Sequence, residues 1–402
     1  MKLRSNEPFW LIRNGLIHDH PSLQRDVEAD VVIIGAGITG SLIAHRCMEE
    51  GYTTVVVDRR EVAHGSTSAT TGMLQYEIDV QLHELIERIG ERDAIEAYRA
   101  CGRSIDELAR IDREVGAGAG FRKKKSLYFA AYKKDIHRLR TEYETRRKHG
   151  FAVRWLSSAE ITERFGLVAT HGGILSQQGA SVDAFRLTHH LLHHNAQRGL
   201  QIFDRTVLAN VVHRRNGATL TTEEGFTITC RQVIHCTGFE STELLGHDHV
   251  ELLSTYALVS ETMPERLQHL KDTLFWNTAD PYLYLRTTDD GRLLVGGADN
   301  DVVRGERRDR SLGAKADQLE RQAHKLIPEL SFRTDFTWAG TFGRTPDGLP
   351  CIGRHPKVPG AIFVLGFGGN GITFSVIGMD MVSALLAKKE HPLAHAFRFG
   401  RC

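Results

Sequence analysis

The most strongly patterned stretch of the chain opens on four consecutive apolar residues, Val31-Val32-Ile33-Ile34. A continuous β-branched run of this length predicts a strand buried on both faces. It runs directly into Gly35-Ala36-Gly37-Ile38-Thr39-Gly40. From Ser41 to Glu50 the pattern turns helical, with Leu42, Ile43, Arg46 and Cys47 at three- and four-residue spacing, and Gly51 stands where a helix stops. Thr53 to Val57 predicts a second buried strand, closed by Asp58.

Each residue type in this βαβ unit has a physical use. Gly35 allows a tight turn out of the strand, Gly37 lets backbone approach a diphosphate, and Gly40 lets helix and sheet pack closely. The free N–H groups and dipole of the helix N-terminus then attract the diphosphate. Asp58 lies about the ~20 residues on where an acid accepts the hydroxyls of an adenosine ribose. A 2′-phosphate is disfavoured beside it. A glycine turn in an ordinary βαβ unit is the bland alternative, but strand, helix, second strand and acid occur in the right order for a dinucleotide.

The pattern then changes along the chain. Residues 1–29 predict an irregular lead-in, with Phe9 to Ile12 packed on a surface. Glu61 to Gln75 is a loop of small residues whose hydroxyls (Ser66, Thr67, Ser68, Thr70, Thr71) suit phosphates or a ring edge. Leu82, Leu85, Ile86 and Ile89 share one helical face, and Ile105, Leu108 and Ala109 another. Ser126 to Ala131 predicts a short strand. A helix follows over Ala184 to Arg198, capped by Asp183 and stopped by Gly199. Gln232 to Gly238 is an apolar strand entering a small-residue turn. Strands are expected at Tyr256 to Ser260, Pro281 to Arg286 and Arg292 to Gly296, with Tyr282, Tyr284 and Arg286 on one face. Helices are expected from Ala314 to Leu326 and from the glycine-rich turn at Gly366–Ile372 to about Lys388.

A length of 402 residues favours two domains over one. A net charge of +1 supplies no global field toward nucleic acid or membrane. Six scattered cysteines without paired spacing indicate reduced thiols, hence a cytoplasmic protein. No signal peptide or transmembrane run is expected; Ala361 to Leu386 comes closest, and Asn370, Asp380 and several glycines interrupt it. Residues 122–148 are locally basic, which reads either as an RNA or membrane-surface patch or as a solvated helix face interspersed with Asp135, Glu142 and Glu144. His189, His190, His193 and His194 form two i,i+4 pairs, but without an acidic partner exposed histidines are expected and no metal.

Five motifs in order carry a resemblance: GAGITG ending at Asp58, then GSTSATTG, QVIHCTG, WAGTFGRTPDGLPCIG and GFGGNGI. Together they resemble the D-amino-acid oxidase / glycine–sarcosine oxidase superfamily of FAD enzymes. The resemblance implies an α/β fold: a Rossmann-like FAD-binding domain of parallel sheet and helices, with a second α+β substrate domain on a mostly antiparallel sheet. The FAD-binding domain is then discontinuous (1–85, 151–242 and 336–402), and 86–150 with 243–335 form the substrate domain. Cofactor contacts are implied for Gly35, Gly37, Ile38, Thr39, Gly40, Asp58, Arg59, Ser66, Thr67, Ser68, Thr71 and Gly72. Further along they are implied for Val207 (backbone on the adenine), Thr237, Gly238, Gly343, Gly369, Asn370, Gly371, Ile372 and Thr373. The implied reaction is oxidation of a C–N bond in an amine or amino acid by hydride transfer to flavin N5, giving an imine that hydrolyses.

The departures are as informative. The basic residues that hold a substrate carboxylate in such enzymes fall near Gln75, Phe342 and Thr373, none of them basic. Tyr256, Tyr284, Arg286, Phe342 and Arg344 are the remaining substrate-positioning candidates. The family's tethering cysteine falls near Gly340, so FAD is expected to be noncovalent. Its oxygen-activating lysine falls near Leu294, so oxygen and a membrane or soluble electron acceptor both stay open. The alternatives are a flavin enzyme or flavin-fold module acting on RNA, such as modified tRNA, through residues 122–148, and an NAD-only dehydrogenase.

Overall fold

The strand predicted at Val31 is central to its sheet. In the computed structural model, which describes residues 1–401 except 6, 215–216, 248, 302–303 and 367, it spans Val27–Ile34. Phe367 of the last glycine motif and Cys402 therefore lie outside the described residues. Ile33 pairs in parallel with Val56 on one side and Ile234 on the other. The eight-stranded sheet orders Leu208–Arg214, Gly217–Thr222, Thr227–His235, Val27–Ile34, Thr54–Val57 and Gln201–Phe203; Val358–Leu365 joins at Thr227–His235 and carries Cys351–His355. The helices Ile38–Glu49, Ala184–Ala196 and Gly371–Leu386 pack together, and Leu42, Ile43, Phe374 and Val382 are fully enclosed in the shared core. This is the expected Rossmann-like layer. Its first helix starts three residues earlier than the apolar spacing indicated, at Ile38 directly after Gly37.

The second layer is an eight-stranded, mostly antiparallel sheet. Its order is Thr334–Arg344, Glu251–Ser260, Leu293–Asn300, Tyr284–Thr287, Thr273–Asn277, Lys125–Phe129, Gly173–Ser176 and Val153–Leu156. Only Lys125–Phe129 and Thr273–Asn277 run parallel to each other. Three of these strands lie in segments that sequence reading placed with the cofactor layer. Val153–Leu156 and Gly173–Ser176 extend the second sheet beside Lys125–Phe129. Thr334–Arg344 pairs along its length with Glu251–Ser260. Ladder hydrogen bonds, invisible in local patterning, decide the layer.

Other readings need correction. The lead-in is not wholly irregular: Phe9–Asn14 is a short helix, and Phe9 and Trp10 are buried by packing against the domain, as expected. Trp10 Nε1 donates to the Thr70 carbonyl at 2.6 Å, so the lead-in pins the hydroxyl-rich loop. The cations of the basic run 122–148 divide among exposed, paired and buried positions. Lys124 and Arg146 are buried, and Lys123 and Arg138 pair with Asp106 and Glu84. Burial and pairing thus take four of these cations out of any free basic surface. His189 is buried, and His193 stacks on His18 with ring centroids 3.9 Å apart, because the lead-in folds over this helix. No described helix is long and apolar enough to cross a membrane.

Candidate active site

A cleft of about 560 Å³ lies between the two layers. Its floor is made by glycine turns. Gly35 has φ +111°, and a Cβ there would lie 2.4 Å from the Cys236 carbonyl oxygen. A Cβ on Gly40 would lie 1.8 Å from the Gly35 oxygen. Gly35 lines the cleft, whereas Gly40 sits beneath it and fixes how closely helix meets strand. Gly37, Ile38 and Thr39 line the cleft above them.

Asp58 ends its strand at the cleft wall. Its Oδ2 accepts the Ala36 amide at 2.7 Å and its Oδ1 the Arg60 amide at 2.9 Å. Burial raises its pKa against the pull of those amides. Arg59 and Arg60 both pair with Glu240, closing this end of the cleft with a charge cluster.

In the loop, Ser66, Thr67 and Thr71 face the cleft, and Thr67 Oγ1 accepts the Ile38 amide at 3.0 Å. Ser68 and Gly72 do not reach it. Ser68 Oγ donates to the Gly65 carbonyl at 2.9 Å, and Gly72 abuts the Val182 carbonyl. Val207, Thr237 and Gly238 line the same cavity.

The last glycine turn closes the opposite end, with Gly369, Gly371 and Ile372 facing the cavity. Asn370 and Thr373 hold the turn from behind. Asn370 Nδ2 donates to the carbonyls of Gln75 (3.0 Å) and Glu77 (2.9 Å), and Thr373 Oγ1 donates to the Asn370 carbonyl (2.9 Å). The helices Ile38–Glu49 and Gly371–Leu386 both begin at the cleft without side-chain caps.

The second sheet forms the roof, where Tyr256, Tyr284 and Phe342 line the cavity. Gly343 packs behind it against Phe239 and Val250.

The donor set suits an adenine dinucleotide throughout its length. An acid stands where a ribose is expected, side-chain-free backbone and helix N-termini where a diphosphate is expected, and an aromatic roof where a flat ring would lie. The family of FAD dependent oxidoreductases matches residues 30–384. The chain belongs to that family. Glycine oxidase of Bacillus subtilis (strain 168) is 25% identical over 401 residues, covering 94% of this chain and 98% of the relative. A putative Rieske 2Fe-2S iron-sulfur protein of the same organism is 23% identical over 395 residues, covering 97% and 75%. The crystal structure of glycine oxidase from Geobacillus kaustophilus shares the fold, with a TM-score of 0.79 at 21% identity over 94% of this chain and 99% of that one.

FAD is thus the cofactor of this oxidoreductase, and its roof departs from the sequence-based expectation. Arg286 does not line the cleft. It is 2% exposed, its Nε donates to the Thr71 carbonyl at 2.7 Å, and its guanidinium lies over Trp10. Alternation along the strand placed it on a face with Tyr284, but the chain lead-in covers that end of the sheet. Arg344 is also absent from the cleft. It closes its strand at the surface and pairs with Glu251, directly opposite in register, at 2.9 Å.

Four residues that sequence reading did not place in the site line the roof end: Thr255, Tyr282, Asp299 and Trp338. Tyr282 shared the predicted face of Tyr284, so its signal was present. Asp299 carried none, since an acid closing an apolar strand reads as an ordinary turn. Burial pushes its carboxyl up to about 6, with Asp79 adding to the rise while Thr255 and Lys315 oppose it.

Proposed function

We propose that this FAD-dependent oxidoreductase oxidises a C–N bond of an amine or amino acid, giving an imine that hydrolyses. The observation that carries the reading is the roof: Tyr256, Tyr282, Tyr284 and Phe342 enclose one end of the cleft beside the last glycine turn. FAD, when bound, supplies the two-electron hydride acceptor.

The chain's own residues do the rest. Gly35, Gly37 and the start of Ile38–Glu49 would hold the diphosphate, and Asp58 the ribose. The N-terminus of Gly371–Leu386 would stabilise negative charge arising near the last turn, by up to ~1–2 kcal/mol. The aromatic roof excludes water and positions the α carbon. Gly340 lines the cleft where a cysteine would be needed for a tether, which supports noncovalent FAD.

The test is anaerobic mixing of the yellow holoenzyme with a panel of amines and amino acids, read as loss of absorbance near ~450 nm from the oxidised flavin. Bleaching by at least one amine or amino acid is expected. A flavin that no panel member reduces refutes the reading. Acid precipitation should release the flavin into the supernatant.

A further inference from the structure

The charges around the cleft are distributed unevenly. Among the described lining residues the arginines are Arg59 and Arg60, both committed to Glu240 at the Asp58 end. His235 also lines the cleft, but burial holds its pKa down at about 4, so it is neutral near pH 7. At the roof end the lining charge is an acid, Asp299. Its Oδ1 is enclosed by the protein and has no hydrogen-bond partner. A carboxylate oxygen in that state is costly until a donor reaches it.

We infer that the substrate is a cationic amine without an α-carboxylate, and that Asp299 both anchors its ammonium group and accepts its proton. The inference rests on the C–N oxidation reading above and narrows it to one substrate class.

Three further observations support it. Tyr282 and Tyr284 line the same end, with ring centroids 5.6 Å apart, and aromatic faces attract ammonium cations. The described lining at this end offers no basic side chain: Gln75 and Phe342 face the cleft uncharged, and Thr373 is turned onto the Asn370 carbonyl. Arg286 and Arg344 are engaged elsewhere. A substrate carboxylate at this end would face Asp299, and the described lining there offers no cation to pair with it.

The groups around Asp299 are Thr255 on the adjoining strand, Tyr282 and Tyr284 on the roof, Asp79 below, Arg344 at the sheet edge and Lys315 on Leu312–Leu326. Lys315 Nζ donates to the Ala298 carbonyl at 2.6 Å and does not line the cleft. Burial and Asp79 raise the Asp299 carboxyl to about 6, which suits a base working near neutrality. The ammonium N–H bond breaks and an Asp299 O–H bond forms. The freed nitrogen lone pair then forms the C=N bond as the α C–H leaves as hydride, FAD being the oxidant. Water adds to the resulting iminium, releasing ammonium and a carbonyl compound.

Matched probes separate this inference from the function it rests on. Benzylamine and 1,4-diaminobutane each differ from phenylglycine and ornithine by one α-carboxylate, and both enantiomers of each amino acid are included. Anaerobic flavin reduction should be at least tenfold faster with the amines. Calorimetry on the holoenzyme adds a readout independent of turnover. Benzyltrimethylammonium, which has no nitrogen lone pair to form an imine, should bind at least tenfold more tightly than phenylacetate. Asp299→Asn should abolish that preference while retaining flavin absorbance, and Asp299→Glu should keep part of it. Reduction by the amino acids alone, or tighter binding of phenylacetate, overturns the inference and leaves C–N oxidation standing. If no amine or amino acid reduces the flavin, the functional reading falls, and with it this inference.

Discussion

Asp79 accepts the amide N–H of Gly369 at 2.8 Å, tying the segment after the hydroxyl-rich loop to the last glycine turn. A Cβ on Gly368 or Gly369 would lie 2.7 or 2.8 Å from the same carboxylate. Two stretches 290 residues apart thus meet through one acid and two positions without side chains. Hydrogen bonds to a charged group contribute about 1.5–3 kcal/mol. Asp79→Ala is therefore expected to weaken FAD binding by roughly 10- to 100-fold, read by quenching of flavin fluorescence on titration into apoprotein. Asp79→Asn keeps an acceptor oxygen and should recover most of the loss. Equal affinities in wild type and Asp79→Ala would show that the turn holds itself.

The first glycine turn separates a packing requirement from a ligand-facing one. Gly40→Ala drives a methyl group into the Gly35 carbonyl, both of them backbone-fixed, so the helix must move off the strand. Gly37→Ala places a Cβ 2.9 Å from Thr67 Oγ1, the end of a side chain that can rotate. Gly40→Ala should lower the melting temperature strongly, since overpacking costs about 1–3 kcal/mol or more. Gly37→Ala should leave melting of the apoprotein nearly unchanged and reduce FAD affinity. Thermal melts with and without added FAD distinguish the two.

Arg286 offers a different kind of test, because strand alternation made it a candidate for the substrate site and the fold gives it another position. Burial lowers its pKa to about 10, so it stays charged at neutral pH, and its Nε holds the Thr71 carbonyl. Arg286→Met should destabilise the protein by about 1.5–3 kcal/mol through loss of a charge-assisted bond, and FAD should bind more weakly as the loop loosens. The ratio of flavin reduction rates between an amine and its α-carboxylated counterpart should not change. A selective loss of amino-acid reduction would instead place Arg286 against the substrate.

These cases mark what was legible in the amino-acid order. The floor of the cleft was, because Gly35, Gly37 and Asp58 act within one βαβ unit whose geometry is local. The last turn was legible only through resemblance, and Asn370 and Thr373 proved to brace it from behind. Side-chain direction at strand ends was not legible. Phe342 and Arg344 share a strand, yet Phe342 faces the cleft and Arg344 meets Glu251, and the outcome depends on a pairing partner some ninety residues away. Asp299 was invisible for the same reason. Its environment is built by Thr255, Tyr282 and Asp79, which come from three separate segments.

The basic segment supplies the last prediction, now as a question of stability. Arg146 and Glu142 are fully buried, with Nε to Oε1 at 2.6 Å, and Glu77 lies 3.4 Å from Arg146 Nη1. Burial pushes the Glu142 carboxyl up, but Arg146, His83 and the amides of Leu82 and His83 outweigh it and hold the group at about 2. A carboxyl depressed in the folded state stabilises fully above its unfolded value of ~4.3, and this stabilisation is lost as pH falls toward the folded value. Glu77 works in the opposite sense, since burial raises its pKa. Glu142→Gln leaves Arg146 buried without its closest partner and should cost about 3–5 kcal/mol at pH 7. It should also flatten the acid limb of stability between about pH 4.3 and 2, measured as urea midpoints across that range. If Glu142→Gln unfolds with the same pH dependence as wild type, another group carries the acid sensitivity and the Arg146 pair contributes little to it.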